Sequence, residues 1–142
     1  MTDIITAKNT LSERNATFVA VKNEEIYISH KRGVTPIIEK IDEDSSFFRD
    51  AAVADKVTGK AAAMLLVKYG IKDLHTGIIS RNALDFLADK NITVTYDSEV
   101  EYIINRDKTD MCPMEKSVLN TSDCDEAEKL IRATRQKLLK EK

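Results

Sequence analysis

The sequence predicts a single α/β domain, and three observations lead to this expectation. Short segments rich in β-branched residues alternate with segments rich in helix formers. The chain has 142 residues, a length that suits one domain with one substantial core. Hydrophobic residues make up 42% and charged residues 32%, a balance typical of a globular rather than a disordered chain. The order hairpin, helix, strand, helix, strand favours a mixed sheet of about five strands covered by helices.

The first third of the chain predicts two helices around a hairpin. Apolar residues at near-helical spacing indicate an opening helix over residues 3–14. Residues 17–21 and 25–29 are rich in β-branched residues and are joined by a plausible tight turn, so they predict a β-hairpin. A short helix is expected over residues 36–41, with Thr35 as its N-cap and proline in its first turn.

The next segment predicts a buried core helix over about residues 55–69. Strong helix formers dominate residues 60–66, and Gly70 supplies a C-terminal stop. Residues 61–67 are apolar on every side, a pattern typical of a helix enclosed between layers. Beyond it we expect a strand over residues 71–79.

The second half predicts further strands and helices. Ser80 is a good N-cap for a helix over residues 81–90. Residues 92–96 indicate another strand, and residues 100–104 a last one. A final helix over residues 123–140 begins with acidic and ends with basic side chains, which complements the helix dipole and is typical of a solvated helix.

Composition limits the classes of partner. The formal net charge is −2, so the sequence carries no footprint for nucleic acid and no polybasic membrane anchor. The longest apolar run, residues 61–67, is far shorter than the roughly 20 residues that a membrane helix needs. Two cysteines cannot build a disulfide framework. We therefore expect a cytoplasmic protein with reduced thiols.

Four strings of residues carry a resemblance to a known family: residues 51–63, 80–87, 102–106 and 112–115. With these strings, about residues 15–119 resemble a family of small prokaryotic proteins of uncharacterised function. The resemblance implies a cytidine-deaminase-like fold with three layers, α/β/α. It also implies a single domain with an N-terminal helix over residues 1–14, a deaminase-like core over residues 15–119 and a C-terminal helix over residues 121–142.

The zinc motifs of working deaminases are missing from this sequence. Zinc deaminases carry H-x-E and P-C-x-x-C, whose His and Cys side chains hold the metal. Neither His30 nor His75 is followed by Glu two residues later, and Cys112 and Cys124 are too far apart for a C-x-x-C pair. We therefore expect no cofactor and no metal. The remaining alternative is an improvised ligand set drawn from both histidines, Asp55 and Cys112.

Charged residues gather where the core helix is expected to begin. Asp55, Lys56 and Lys60 place one carboxylate beside two ammonium groups, and Gly59 between them permits close approach of a ligand or a backbone. These groups could orient a small polar or anionic ligand. The structural alternative is that Asp55 neutralises the helix start while the lysines extend into solvent.

The string Cys112-Pro113-Met114-Glu115 predicts the start of a short helix. Cys112 would be its N-cap, with Pro113 in the first position and Glu115 in the third, where its carboxylate can accept from a free N–H group. The functional alternative uses the same geometry, because exposed N–H groups stabilise a thiolate and raise its reactivity.

The sequence supports one main hypothesis and two alternatives. The main hypothesis is a deaminase-fold protein without the zinc site that binds a small polar or nucleotide-like ligand or has a regulatory role. Its pocket would be rimmed by Asp55, Lys56, Lys60, Ser80, Arg106 and Cys112. One alternative is an enzyme with Cys112 as a thiolate and Glu115 or Asp55 as acid–base partner. The other is a metal-dependent deaminase with improvised ligands. The resemblance also implies a homo-oligomer.

Overall fold

The computed structural model describes residues 2–104 and 110–140. Five strands form one mixed sheet in the order β2-β1-β3-β4-β5, which confirms the predicted α/β class and the predicted number of strands. The strands are β1 (Phe18–Lys22), β2 (Glu25–Ser29), β3 (Ala52–Thr58), β4 (Asp73–Ser80) and β5 (Thr93–Val100).

The predicted hairpin is confirmed, and it adds two antiparallel strands to a parallel half of the sheet. β1 pairs antiparallel with β2 on one side and with β3 on the other. β3, β4 and β5 are parallel to one another. Asn23 in the hairpin turn has a φ of 57°, a conformation that asparagine tolerates better than most residues.

Six helices connect and cover the strands in the described part of the chain. They are α1 (Asp3–Glu13), α2 (Thr35–Glu43), α3 (Lys60–Lys68), α4 (Arg81–Leu87), α5 (Pro113–Ser117) and α6 (Cys124–Lys140). α1 packs on one face of the sheet through a small cluster that includes Ala7, Val19 and Ala54. The other helices contribute to the larger cluster on the opposite face, where Met64 and Leu65 of α3 are buried.

The predicted core helix over residues 55–69 was wrong in its first part. Residues 52–58 form β3, the central strand, and the helix begins only at Lys60. β3 lies between α1 and α3, so its first residues are small and apolar on both faces. A strand buried on both faces shows no alternation, and periodicity alone cannot separate it from a buried helix.

Several other boundaries differ from the sequence prediction, and α4 ends at Leu87 rather than at residue 90. No separate strand covers residues 100–104; instead β5 extends to Val100, where it still pairs with Ser80 of β4. Ile104 forms only an isolated bridge with Met111. Helix α2 includes Thr35, and Val34 occupies the N-cap position that was predicted for the threonine.

A cluster of charged side chains fixes α6 to the helices beside it. Glu128 accepts hydrogen bonds from Lys68 Nζ at 2.8 Å, from the Tyr69 hydroxyl at 2.7 Å and from Arg132 Nε at 2.9 Å. Arg132 also bonds Asp42 of α2, with 2.8 Å between Nη2 and Oδ1. The predicted solvated helix therefore uses part of its charged surface for docking.

Candidate functional site

The carboxylate of Glu115 lies between the starts of α3 and α4, and only 1% of the residue is exposed. Its Oε2 accepts from the backbone N–H of Lys60 at 2.8 Å and from the Ser80 hydroxyl at 2.5 Å. Its Oε1 accepts from the backbone N–H of Ile103 at 2.8 Å. Three segments that are distant in sequence thus hold one buried side chain of α5.

Ser80 acts both as a cap and as a donor. Its hydroxyl oxygen accepts from the backbone N–H of Ala83 at 3.2 Å, which confirms the predicted N-cap of α4. Its single hydroxyl proton is then free to go to Glu115. The sequence predicted that Glu115 would reach a free N–H group at the start of its own helix, but its described hydrogen bonds go to Lys60, Ser80 and Ile103.

Gly59 makes room for this carboxylate. A Cβ atom at position 59 would lie 2.8 Å from Glu115 Oε2 and 3.2 Å from Ile103 Cγ1. Real Cβ atoms do not approach their neighbours at the first of these distances. The sequence predicted that a ligand or a backbone would approach Gly59 closely; the close neighbour in the structure is instead the side chain of Glu115.

The side chains of Lys60 and Cys112 were predicted to line one pocket. In the structure, neither side chain hydrogen-bonds to the Glu115 carboxylate. The Lys60 ammonium donates to the backbone oxygen of Leu119 at 3.2 Å. Burial lowers the pKa of Lys60, and the charge of Glu115 opposes that effect. Cys112 stands at the N-cap of α5, as predicted, but its side chain makes no capping hydrogen bond. A catalytic role for Cys112 stays a prediction, and Arg106 lies outside the described residues.

Asp55 belongs to a separate buried polar cluster. Its Oδ2 lies 3.1 Å from the hydroxyl of Thr58, which lies 3.0 Å from the hydroxyl of Thr76. The Thr76 hydroxyl also donates to the backbone oxygen of Ile78 at 3.0 Å. Burial raises the pKa of Asp55 to about 7, although hydrogen bonds from Thr58 and from the N–H groups of Val57 and Lys56 oppose the shift.

Along β3 and β4, the alternation of buried and exposed side chains breaks where Val57 pairs with Ile78. Lys56 and Val57 are consecutive exposed residues on β3, and Ile78 is exposed directly beside them on β4. A Cβ atom on Gly77 would lie 2.9 Å from the backbone oxygen of Lys56, so the two strands approach closely only because this residue is glycine. The interruption leaves apolar side chains on the surface.

An open groove of about 510 Å³ lies at this interruption. Its walls come from α1, β3, β4 and β5, and they combine apolar and ionisable side chains. Among the lining residues are Leu11, Lys56, Val57, His75, Ile78 and Asp97. Lys56 Nζ lies 3.4 Å from Asn15 Oδ1, near one end of this surface. Asp55 also lines the groove.

His75 is the histidine of the groove. Its Nδ1 lies 2.7 Å from the hydroxyl oxygen of Thr95, and its Nε2 lies 3.9 Å from Asp97 Oδ1. Burial lowers the pKa of His75, the charge of Lys8 lowers it further, and Asp97 opposes both. The imidazole is therefore neutral at neutral pH and can both donate and accept a hydrogen bond.

The structure divides the predicted rim into two places. Lys60 and Ser80 lie at the Glu115 site, whereas Asp55 and Lys56 line the groove. The sequence did not indicate Thr58, Thr76 or Asp97 as site residues. Their positions depend on how β3, β4 and β5 align, which a local pattern does not specify.

The described residues hold no group of three or more His, Cys, Asp or Glu side chains that could bind a metal ion. The improvised zinc set is therefore not assembled in that part of the chain. No helix in the same part is both long enough and apolar enough to cross a membrane.

The fold and the site define an α/β protein with a mixed five-strand sheet and a buried carboxylate between two helix starts. The chain belongs to the TM1506 family, a domain of unknown function (DUF1893), whose model matches residues 6–136. A crystal structure of a DUF1893 family protein (TM1506) from Thermotoga maritima is similar, with a TM-score of 0.82 and 27% sequence identity. The match covers 95% of this chain and 89% of that one. None of the curated proteins matches. The expectation of a family of uncharacterised function is confirmed.

Proposed function

We propose that this chain has a cytidine-deaminase-like fold and serves as a small-ligand-binding protein rather than as a zinc deaminase. The sheet order supports the fold, because an antiparallel pair is followed by three parallel strands whose connecting helices both begin at one edge. The resemblance of residues 15–119 points to the same fold. A fold does not fix a function, so the argument for binding rests on side chains.

The Glu115 carboxylate is the observation that argues against a zinc deaminase. Zinc deaminases hold their metal with His and Cys side chains from H-x-E and P-C-x-x-C motifs. At the starts of α3 and α4 this chain has Gly59-Lys60 and Ser80-Arg81, none of which is a customary zinc ligand. The intervening space holds Glu115, which is already bonded to Lys60 and Ser80. That space is therefore filled by a hydrogen-bonded carboxylate of the chain itself.

The groove beside α1 is the better place for a ligand. It is an open surface groove of about 510 Å³ that leaves one side of a ligand in solvent. Val57 and Ile78 offer an apolar floor, while Lys56, His75 and Asp97 offer a cation, a neutral imidazole and a carboxylate. This combination suits a ligand with a flat apolar body, hydroxyl groups that Asp97 can accept from, and an anionic group near Lys56. A nucleotide-like ligand has all three parts.

A thermal-shift screen of nucleosides, nucleotides and sugar phosphates tests this proposal. A ligand that binds only the folded state raises the melting temperature, and the gain grows with the logarithm of its concentration relative to Kd. We expect at least one phosphorylated compound to do so, and we expect Lys56→Ala to lose most of that gain. Lys72→Ala is the matched control, because Lys72 is an exposed lysine that precedes β4 and does not line the groove.

The same screen separates the alternatives. A gain that persists in both Lys56→Ala and His75→Ala would place the ligand elsewhere and contradict the groove. A gain that depends on the phosphate but not on the nucleoside would reduce the proposal to an anion site at Lys56.

A further inference from the structure

His75 and Asp97 face each other on the wall of the groove without forming a hydrogen bond. His75 Nε2 lies 3.9 Å from Asp97 Oδ1, which is longer than a hydrogen bond but becomes one after a small rotation of the carboxylate. The Asp97 side chain is 74% exposed, so it has room to rotate. In the described part of the chain, His75 is the only basic residue within ion-pair distance of this carboxylate.

The other side of the imidazole ring is held in place. His75 Nδ1 lies 2.7 Å from the hydroxyl oxygen of Thr95, the residue that pairs with His75 between β4 and β5. The His75 side chain is only 13% exposed. The ring is therefore the fixed member of the pair, and the carboxylate of Asp97 is the member that can move.

We propose that this pair is a proton-operated switch of the groove, in which a charged imidazolium captures the Asp97 carboxylate and a neutral imidazole releases it. The inference rests on the proposed function, because Asp97 is one of the groups that the groove offers to a ligand. Beside a neutral ring, the carboxylate is available to accept from a ligand hydroxyl. Beside a charged ring, the ligand has to compete with a charge-assisted hydrogen bond inside the protein. The switch therefore weakens ligand binding in acid.

The charged groups around His75 decide where the switch operates. Burial and the charge of Lys8 on α1 disfavour the imidazolium, whereas Asp97 on β5 favours it. Asp55 and Lys56 of β3 also line the groove. On balance the pKa of His75 is lowered, so the released state prevails at neutral pH and the captured state forms only in acid.

An NMR titration of the ligand-free protein tests the switch. Histidine ring signals and backbone amide signals are followed from about pH 8 to about pH 4.5. We expect the amides of Asp97 and Ser98 to show a transition at the midpoint of the His75 ring, because capture moves the carboxylate. His75→Asn keeps a hydrogen-bonding partner for Thr95 but does not titrate, so this transition should disappear in the variant.

Asp97→Asn measures the attraction between the two groups. The pKa of His75 should fall in this variant, because the negative charge that favours the imidazolium is gone. Glu101→Gln is the matched control, since Glu101 is an exposed acid just beyond β5 that does not line the groove, and it should leave the His75 titration unchanged. An unchanged His75 midpoint in Asp97→Asn would overturn the proposal. So would Asp97 and Ser98 amides without a transition at the His75 midpoint.

Adenosine is the probe for the effect on binding, because it carries hydroxyl groups and has no phosphate that titrates in the same range. We expect its Kd to rise about fivefold or more between about pH 7.5 and about pH 5 in the natural sequence, and to stay constant in His75→Asn. An equal Kd at both pH values in the natural sequence, or no binding at either, would contradict the regulation of binding. The groove function is judged separately, by the screen of phosphorylated compounds, so the two failures are distinguishable.

Discussion

At the residue scale, two opposing effects set the pKa of the buried Asp55 carboxyl group. Burial raises the pKa to about 7, whereas hydrogen bonds from the Thr58 hydroxyl and from the N–H groups of Val57 and Lys56 favour the ionised form. The Thr58 hydroxyl has one proton, so it cannot donate to Asp55 and to Thr76 at the same time. Burial is the larger effect, so we expect this carboxyl group to gain or lose its proton near neutral pH.

Asp55→Asn should remove a pH dependence of stability. The pKa of Asp55 is about 7 when folded and 3.8 in the reference state, so the folded protein binds the extra proton. The contribution of Asp55 is therefore fully present below the reference pKa and is lost as pH rises through about 7. The amide is uncharged at every pH, and its oxygen can still accept from the Thr58 hydroxyl. We expect the variant to exceed the natural sequence by on the order of 2–4 kcal/mol in free energy of unfolding at about pH 8.

Urea unfolding at about pH 4.5 and at about pH 8 measures this difference. Asp97→Asn is the control, because its carboxylate is exposed in the groove and its removal should not reproduce the effect. Parallel pH profiles for Asp55→Asn and the natural sequence would show that Asp55 is ionised in the fold.

Single residues differ in how well the sequence predicted them. The N-cap role of Ser80 was predicted correctly, because a cap depends only on the few residues that follow it. The surroundings of Asp55 were not, because Thr58 and Thr76 come together only through the pairing of β3 with β4. The partners of Glu115 lie 12 to 55 residues away in sequence, beyond the reach of any local rule.

At the scale of elements, the docking of α6 depends on Glu128. Burial raises the pKa of Glu128, but hydrogen bonds from Lys68, Tyr69 and Arg132 outweigh it and lower the pKa to about 2. The lowered value means that the folded state holds the ionised form. The hydrogen bonds of Glu128 join α6 to α3, and Arg132 joins α6 to α2.

Glu128→Gln should weaken this docking by about 1–3 kcal/mol at neutral pH. The amide keeps one acceptor oxygen, but it removes the negative charge and replaces the second oxygen with an NH2 group, so Lys68 and Arg132 cannot both keep their acceptor. The contribution of Glu128 is present above its reference pKa of 4.5 and is lost as pH falls towards about 2. The difference between the variant and the natural sequence should therefore shrink over that range. Denaturant unfolding at several pH values measures it.

Glu126→Gln is the matched control for this prediction. Glu126 is exposed and lies in the first turn of the same helix, so its loss should cost only a few tenths of a kcal/mol. A cost for Glu128→Gln no larger than this would mean that apolar packing of Ala127 and Ile131 alone docks α6.

The helices α1 and α6 were predicted better than the central strand β3. α1 and α6 match their predicted ranges to within one residue; α1 was predicted from the spacing of its apolar residues, and α6 from its acidic start and basic end. β3 was missed because both of its faces are covered. Central strands and buried helices share the same composition, and only the tertiary structure separates them.

At the scale of the whole molecule, the two faces of the sheet differ in how much they bury. The face under α3 carries the larger cluster, which includes four aromatic residues and the apolar side of α6. The face under α1 carries only two valines and three alanines as fully buried members. This strand order and this unequal division could not be read from the sequence, because both depend on pairings between distant segments.

The unequal faces predict that α1 opens more readily than the rest of the molecule. Few buried apolar contacts hold α1, and local opening costs least where little apolar surface is buried. Native-state hydrogen exchange should give backbone amides of α1 a lower free energy of opening than those of β3 and α3. Leu11→Ala should lower the free energy of opening further for α1 and leave that of α3 unchanged, because Leu11 packs only against the smaller cluster.

Equal opening free energies for α1 and α3 would mean that both faces unfold as one cooperative unit. Since Leu11 also lines the groove, a ligand there should slow exchange in α1 before it affects α3.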